Sequence, residues 1–434
     1  MTSKFKELLK KILSTQLFSL IFSRYFYFKL KNISTSKNTS KNIIIFNDYR
    51  CREDIEVYLK NSKLKIFTAP INLLELVEAI FFSKSMPYAT YFLEKDTDLL
   101  KARSRKRIFL ERTILFLKRK KIDCIVSPSV QYRLDQDWAF VCKKLKLNFI
   151  CVHKEFTVMD EKVYKHQINR FKEQKLKYLG TKILMTNNLG KKLFTETNFC
   201  KESQINVIGS LRMDRILPVK ENKKRNGDCV TLFSFGHLSG GIGFDDLPES
   251  IRHKYIKYHY FSNENYGFVK LFNNVHSIFA KCALKNPKKK FIIKIKNIND
   301  ITWKTQIKET IENALKIKFS DIKNLSFSDK QAPDLIKLSE VVIGFNSTVL
   351  LEAIILNTKT IIPVFDEASK KLKEFVYFRK YFNLFKVAKS HKEFEKLLSS
   401  PFHFKMNKRK QNEMIEKFLG FSDGKSLDRF SNSL

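Results

Sequence analysis

The chain alternates short apolar runs with longer segments whose apolar residues recur every three or four positions. Short runs rich in Ile, Val and Phe predict strands, and the segments between them predict helices. The predicted strands of the first half are 42–47, 123–127, 148–152, 182–185 and 205–208. Because these strands are apolar throughout instead of alternating, we expect a parallel sheet that is covered on both faces.

A polar, charged stretch at 218–228 (PVKENKKRNGD) interrupts this alternation and predicts a linker. After it, strands and helices alternate again. The predicted strands of the second half are 229–235, 290–295, 324–327, 341–345 and 360–364. The chain from about 387 onward is predicted to be mostly helical. The sequence therefore predicts two α/β domains of similar size in tandem.

The predicted domain boundaries follow these changes of pattern. They are a basic amphipathic segment with a linker (1–41), a first Rossmann-like α/β domain (42–217), a linker (218–228), a second Rossmann-like domain (229–386) and C-terminal helices (387–434). Ligands of open α/β sheets bind beyond the carboxyl ends of the strands. Two such sheets facing one another would place a cleft between them, so residues that directly follow strands are the candidate site residues.

The N-terminal segment has apolar residues at helical spacing over 5–21, interspersed with Lys4, Lys6, Lys10 and Lys11. Such a basic amphipathic helix suits an anionic inner membrane surface. It suits equally well a terminal helix that docks on the protein's own core, and the sequence leaves both possibilities open. The polar stretch 33–41 predicts a linker, and no apolar run is long enough to span a bilayer.

Charge narrows the choice of partners. The 434 residues contain 82 Lys and Arg against 44 Asp and Glu, a net charge of +38. This excess favours anionic partners such as a membrane surface, acidic sugars or nucleotides. The basic runs are short and scattered, and no zinc-finger or RNA-binding motif is present, so we do not expect a nucleic-acid partner.

The cysteines and histidines do not indicate a metal site. Seven cysteines occur without any CxxC pair, which predicts reduced thiols in a cytosolic protein. The eight histidines show no spacing typical of metal ligands. We expect no metal and no cofactor.

The most informative segment is 340–363. A buried strand ends at Phe345, Asn346-Ser347-Thr348 follow, and a helix begins at once. A helix N-terminus with hydroxyl groups is a favourable place for a phosphate. Ordinary N-capping by Ser347 is the alternative. Capping does not account for Glu352, the only charged residue of the apolar helix, which either reaches solvent or binds a ligand.

Residues 333–363, PDLIKLSEVVIGFNSTVLLEAIILNTKTIIP, resemble the C-terminal donor-site signature of GT-B glycosyltransferases of bacterial surface carbohydrate synthesis (capsule and lipopolysaccharide). They are more distantly similar to CDP-glycerol glycerophosphotransferases and UDP-N-acetylglucosamine 2-epimerases. Residues 205–216, INVIGSLRMDRI, resemble the V-x-G-N-P-R-x-D run that ends the N-terminal domain of these proteins, with Ser210-Leu211 in place of Asn-Pro.

The resemblance implies the GT-B fold, with an acceptor domain followed by a nucleotide-donor domain and usually without a metal. It implies that Ser347 and Thr348, beside Asn346, contact donor phosphate and that Glu352 binds the donor ribose or sugar. Many relatives carry an R-P-H-P-like run after the middle strand of the second domain. Here that strand ends with Lys294-Ile295-Lys296, and the two lysines are candidate phosphate ligands.

Other candidates also follow predicted strands. Gly236 and His237 lie in a Gly-rich turn, where His237 could act on the leaving phosphate or position the donor. His153 and Glu155 follow the third strand of the first domain and are the candidate bases for an acceptor hydroxyl.

Four further charged residues have lesser or structural roles. Asp48 and Asp135 are lesser candidates on the acceptor side. Arg212 and Asp214 are expected to form an ion pair between the domains.

The leading hypothesis is a cytoplasmic, metal-independent glycosyltransferase, peripheral on the inner face of the membrane. It would move a sugar or a polyol phosphate from a nucleotide-activated donor to a glycan or lipid-linked glycan acceptor. Two alternatives remain open: an enzyme like the nucleotide-sugar 2-epimerases, or a non-catalytic scaffold at the membrane surface with a degenerate GT-B core.

Overall fold

A computed structural model describes most of the chain. The described residues are 15–34, 40–61, 63–82, 97–155, 157–159, 161–173, 175–219, 227–239, 267–296, 299–370, 372–400, 402 and 405–434. Parts of three predictions lie outside them: the amphipathic segment before residue 15, the linkers at 35–39 and 220–226, and Gly240-Gly241 of the Gly-rich turn.

The chain divides into two compact units. The first unit contains Met1–Thr157, His166–Arg215 and Lys417–Leu434, and the second contains Val158–Lys165 and Ile216–Glu416. Each unit is built around one β-sheet.

In the described part of the first unit, seven strands form one sheet in the order β1-β3-β2-β4-β5-β6-β7. Only the short β1 runs antiparallel to its neighbour. The strands are β1 (Lys31–Asn32), β2 (Lys41–Ile45), β3 (Leu64–Thr68), β4 (Cys124–Ser127), β5 (Asn148–His153), β6 (Lys182–Met185) and β7 (Ile205–Val207). The helices up to β7 are α1 (Gln16–Lys29), α2 (Arg52–Tyr58), α3 (Ile71–Phe81), α4 (Thr97–Arg119), α5 (Arg133–Lys144), α6 (Glu161–Glu173) and α7 (Asn188–Glu196).

The apolar strands of this sheet pack on both faces, as the sequence predicts. In β2, Ile44 belongs to the core cluster under α1, α4 and α5, whereas Ile43 and Ile45 belong to the cluster on the opposite face. All three isoleucines are fully buried. The alternation arises because successive side chains of a strand point to opposite faces.

Helix α1 docks on the first unit through one of its faces. Phe22 and Phe26 are buried, and the ring of Phe26 lies 5.1 Å from that of Trp138. The Oγ atoms of Ser23 and Thr113 are 3.0 Å apart, so α1 also shares a buried hydrogen bond with α4. The docked alternative is therefore correct for the described part of the N-terminal segment.

In the second unit, six described strands form an entirely parallel sheet in the order β10-β9-β8-β11-β12-β13. Counted from β8, this is the Rossmann order 3-2-1-4-5-6. The strands are β8 (Cys229–Phe233), β9 (Lys290–Lys294), β10 (Leu325–Phe327), β11 (Ser339–Gly344), β12 (Lys359–Pro363) and β13 (Lys386–Ala388). The remaining helices are α8 (Val269–Lys285), α9 (Ile301–Leu315), α10 (Ala332–Leu338), α11 (Val349–Ile355), α12 (His391–Ser399), α13 (Lys408–Leu419) and α14 (Ser426–Ser433).

The C-terminal region is helical, as predicted, but its last part belongs to the first unit. The ring of Phe430 in α14 lies 4.7 Å from that of Tyr58 in α2. Asp214 accepts a hydrogen bond from the backbone N–H of Leu427, 2.9 Å away, at the start of α14. Arg212 forms an ion pair with Glu53 at 3.8 Å, also within the first unit.

The predicted fold class, two Rossmann-like α/β domains in tandem, is confirmed. The apolar periodicity predicts a helix over 108–120, but α4 begins eleven residues earlier, at Thr97, because charged residues mask the apolar positions of its first turns. Strands β3 and β13 and helix α3 were not predicted. None of the described helices is long and apolar enough to cross a membrane. Each of the seven cysteines is a free thiol.

Candidate functional site

The strand order of the second unit locates its candidate site. β8 is followed in the chain by β9 on one side, and β11 pairs with β8 on the other, so the order reverses between β8 and β11. Ligands bind beyond the carboxyl ends of the strands at such a switch point. The turns that follow β8 and β11 meet there, since the rings of Phe235 and Phe345 are 4.9 Å apart.

The turn after β11 is held by Asn346. This residue adopts a left-handed conformation with φ +47°, which asparagine tolerates better than most residues. Its side-chain amide donates to the carbonyl of Phe375 at 2.9 Å and accepts from the N–H of Tyr377 at 2.8 Å. The amide group therefore fixes a neighbouring loop, and Asn346 shapes the turn that carries Ser347 and Thr348.

The two hydroxyl residues stand at the start of α11. Thr348 occupies the N-cap position but makes no side-chain capping bond, whereas Ser347 Oγ accepts from the N–H of Val349 at 3.3 Å. Helix α11 has only seven residues, so its dipole is that of a two-turn helix. The site at this turn depends on its location at the switch point more than on the helix.

Glu352 lies one turn into α11 and is buried, with 6% of its surface exposed. Every other residue of the helix is buried as well. The alternative of a solvent-exposed glutamate is therefore wrong. A buried carboxylate is costly unless polar groups or a ligand hold it, so Glu352 stays a candidate ligand-binding residue.

His237, next to Gly236, follows β8 and is 2% exposed. Burial lowers its pKa to about 4, with a smaller effect of His276. Its Nε2 lies 3.3 Å from Nε2 of Gln306, and its ring packs edge-on against Phe272. At neutral pH His237 is uncharged, which suits a hydrogen-bonding role at a phosphate better than a cationic one.

The two candidate lysines lie at the end of β9, the strand beside β8. Lys294 is the last residue of β9 and is half-buried, while Lys296 is exposed. The fold thus brings Gly236, His237 and both lysines to the same edge of the sheet as the 346–348 turn. Their contacts with a donor remain predictions.

The first unit has a comparable switch point between β2 and β4. Asn47, two residues after the end of β2, is also left-handed, with φ +54°. Its amide donates to both oxygens of Asp135 at 2.9 Å, and Ser127 Oγ donates to one of them at 2.6 Å. Burial raises the pKa of Asp135 to about 7, although these hydrogen bonds oppose the shift. Sequence reasoning included Asp135 but missed Asn47 and Ser127, which only the neighbouring strand ends bring together.

The candidate bases at the end of β5 differ in their surroundings. His153 is 1% exposed, and burial, with a smaller effect of Lys154, lowers its pKa to about 3. Its Nδ1 accepts from the N–H of Val130 at 3.4 Å. Glu155 is exposed. Of the two, Glu155 is the better placed to take a proton from a substrate. Asp48 is half-buried and accepts from the N–H of Tyr49.

A polar cluster after β12 was missed at the sequence level. Glu367 accepts from the backbone N–H groups of Lys270 and Leu271 at 2.8 and 2.9 Å, which caps α8. Asp366 accepts from Asn274 and lies 3.1 Å from His391. Within the described residues, no group of three or more His, Cys, Asp or Glu side chains is arranged to hold a metal ion.

No family model and no curated protein matches the sequence. Solved structures that are similar include the UDP-GlcNAc 2-epimerase of Neisseria meningitidis bound to UDP-GlcNAc (11% identity, TM-score 0.46, covering 91% of this chain and 99% of that one). They also include a glycosyltransferase from Rickettsia africae (12% identity, TM-score 0.45, covering 91% of this chain and 97% of that one). A third is a variant of the wall teichoic acid polymerase TagF with CDPG (11% identity, TM-score 0.47, covering 99% of this chain and 96% of that one). A UDP-GlcNAc 2-epimerase and a glycosyltransferase are among the kinds of protein that the sequence resembles.

Proposed function

We propose that this protein transfers a sugar or a polyol phosphate from a nucleotide-activated donor to a cell-surface glycan acceptor. The observation that carries the proposal is the switch point of the second sheet. There, in a sheet of Rossmann order, the Asn346-Ser347-Thr348 turn meets the turn after β8 beside the buried Glu352. This is the arrangement by which open α/β sheets bind nucleotides.

In the proposed mechanism the second unit holds the donor and stabilises the leaving phosphate. Ser347 and Thr348 offer hydroxyls to the phosphate, Lys294 and Lys296 offer positive charge, and Glu352 accepts hydrogen bonds from donor hydroxyls. Catalysis then rests on positioning and on electrostatic stabilisation of the leaving group. Glu155 is proposed as the base that takes the proton from the acceptor hydroxyl.

The first test is a thermal-shift panel of UMP, UDP, CMP, CDP, GDP and AMP. A ligand that binds only the native state at 100 times its Kd stabilises it by about 2.7 kcal/mol. The double variant Ser347→Ala, Glu352→Gln should lose most of this stabilisation while remaining folded. Glu416→Gln, an exposed glutamate of the same unit, is the matched control. Unchanged nucleotide stabilisation in the double variant would refute the site.

Activity separates the transferase from the epimerase alternative. Radiolabelled nucleotide sugars incubated with an extract of lipid-linked glycans should give labelled glycan. Interconversion of nucleotide sugars at C2 without acceptor would instead identify an epimerase. Nucleotide binding without either reaction would favour the scaffold.

We also propose that the protein lies on the inner membrane face through the outward face of α1. Leu17, Ile21 and Phe28 are 69%, 54% and 77% exposed there. Arg24 and Lys29 accompany them, and residues 15–34 contain no acidic side chain. Apolar side chains with flanking cations favour an anionic bilayer surface.

A further inference from the structure

A cavity of the second unit lies at the carboxyl ends of β12 and β13. It has a volume of about 260 Å³. Its apolar lining includes Val376 and Phe382. Its polar lining is cationic, with Lys373, Arg379 and Lys389. We call this site, defined by these three cations, the basic cavity.

The three cations come from three separate places in the chain. Lys373 begins one short 3-10 turn, Arg379 begins the next, and Lys389 directly follows β13. Only the fold brings them around one cavity. Like charges gathered in this way repel one another, so the arrangement favours an anion that neutralises them.

One carboxylate approaches the basic cavity: Glu393 accepts a hydrogen bond from the backbone N–H of Lys389 at 2.8 Å. Among the described residues no carboxylate lines it, and none forms an ion pair with its three cations. Asp366 and Glu367, the acidic residues that follow β12, are turned to other partners: the first bonds to Asn274 and the second caps α8. The positive charge is therefore available to a ligand.

The basic cavity is attached to the proposed donor turn. The loop between Lys373 and Arg379 is the one fixed by Asn346, through the bonds to the Phe375 carbonyl and the Tyr377 N–H. β12, which ends at this cavity, pairs directly with β11, which ends at the donor turn. A ligand here would lie beside the nucleotide site while contacting different residues.

We propose that the basic cavity is a second anion site that binds an organic phosphate. The phosphate would contact the three cations, and its apolar part would lie against Val376 and Phe382. The role of this site in the reaction rests on the proposed function: the bound phosphate would belong to a substrate other than the donor nucleotide. Its binding chemistry stands on the cavity alone.

The test is a titration of the full-length protein with phenyl phosphate, in which binding is measured by calorimetry and ³¹P NMR. Inorganic phosphate and phenol, the two halves of this ligand, are titrated separately for comparison. We expect phenyl phosphate to bind more tightly than either. Replacing the three cations with glutamine should lower the affinity for phenyl phosphate roughly tenfold for each charge-assisted contact removed. A control with the same loss of charge, Lys318→Gln, Lys330→Gln, Lys392→Gln, should bind like wild type.

Several results would overturn the inference. An equal loss in the control would show a general charge effect, and equal binding of phenol would show an apolar site. Tighter or equal binding of inorganic phosphate would remove the role of the apolar lining. Loss of phenyl phosphate binding in the Ser347→Ala, Glu352→Gln variant would show that phenyl phosphate and the nucleotide share the donor site. If phenyl phosphate binds at the cavity and no nucleotide binds anywhere, the proposed function fails and the anion site stands.

Discussion

The two faces of α1 should have separable roles, and two phenylalanines on the same helix test this. Phe26 is fully buried against Trp138, whereas Phe28 is 77% exposed. Replacing a buried phenylalanine with alanine costs about 3–5 kcal/mol, from lost burial and the cavity left behind. Phe26→Ala should therefore lower the free energy of unfolding of the first unit by this amount. Phe28→Ala should change it by less than about 0.5 kcal/mol.

Vesicle binding should respond in the opposite way. If Phe28 inserts into a bilayer, its removal forfeits about 1.5–3 kcal/mol, which lowers the partition coefficient by roughly 10- to 150-fold. Phe26 points into the protein, so Phe26→Ala should partition like wild type at temperatures where it remains folded. Binding should also weaken as salt rises, because the contribution of Arg24 and Lys29 is screened.

The assay combines urea unfolding with sedimentation on vesicles of neutral lipid and of neutral lipid mixed with anionic lipid. The reasoning predicts that each variant changes one readout and leaves the other. It is refuted if Phe28→Ala binds anionic vesicles as well as wild type does. It is also refuted if Phe26→Ala has wild-type stability, because the helix would then not be docked as described.

Three further outcomes are expected. In the folded protein the pKa of Asp135 is raised to about 7, so the stability that this group contributes is fully present below its unfolded pKa and is lost as pH rises through 7. The melting temperature should fall over this pH range, and in the Asp135→Asn variant this part of the pH dependence should be absent. Asp137 is fully buried and bonded to Arg107 at 2.8 Å, so Asp137→Asn should destabilise the first unit by about 3–5 kcal/mol. Breaking the exposed pair of Lys192 and Glu196 in the same unit with Glu196→Gln should cost only about 0–0.5 kcal/mol, and equal effects in urea unfolding would contradict this. Transfer activity should survive EDTA, and activity restored only by Mg²⁺ or Mn²⁺ after chelation would show that the proposed mechanism is wrong.

Most strands could be predicted because short runs that are apolar throughout are typical of a parallel sheet covered on both faces. β6 has the predicted bounds, Lys182–Met185, and all the other predicted strands lie within two residues of their observed ends. β3 was missed because its sequence, LKIFT, is only five residues long and includes the charged Lys65 and the polar Thr68. Its outer neighbour in the sheet, β1, has only two residues. A signal this short resembles a loop.

The start of α4 shows how tertiary contacts override a polar pattern. Residues 97–107 are rich in charges, yet Lys106 is fully buried. Its Nζ lies 2.6 Å from Glu78 in α3 and 3.4 Å from Asp137 in α5. Hydropathy counts such a lysine as exposed, because only the fold supplies the two carboxylates that make its burial possible.

The sequence by itself determined the two tandem α/β domains and the strand–turn–helix segment at Asn346-Ser347-Thr348, because local pattern and turn chemistry are written in neighbouring residues. Only the tertiary structure decided the order of the strands, the burial of Glu352, the contact of Asn47 and Ser127 with Asp135, and the return of α14 to the first unit. These features join residues distant in the chain. Their free energy comes from burial and pairing that no single segment achieves alone.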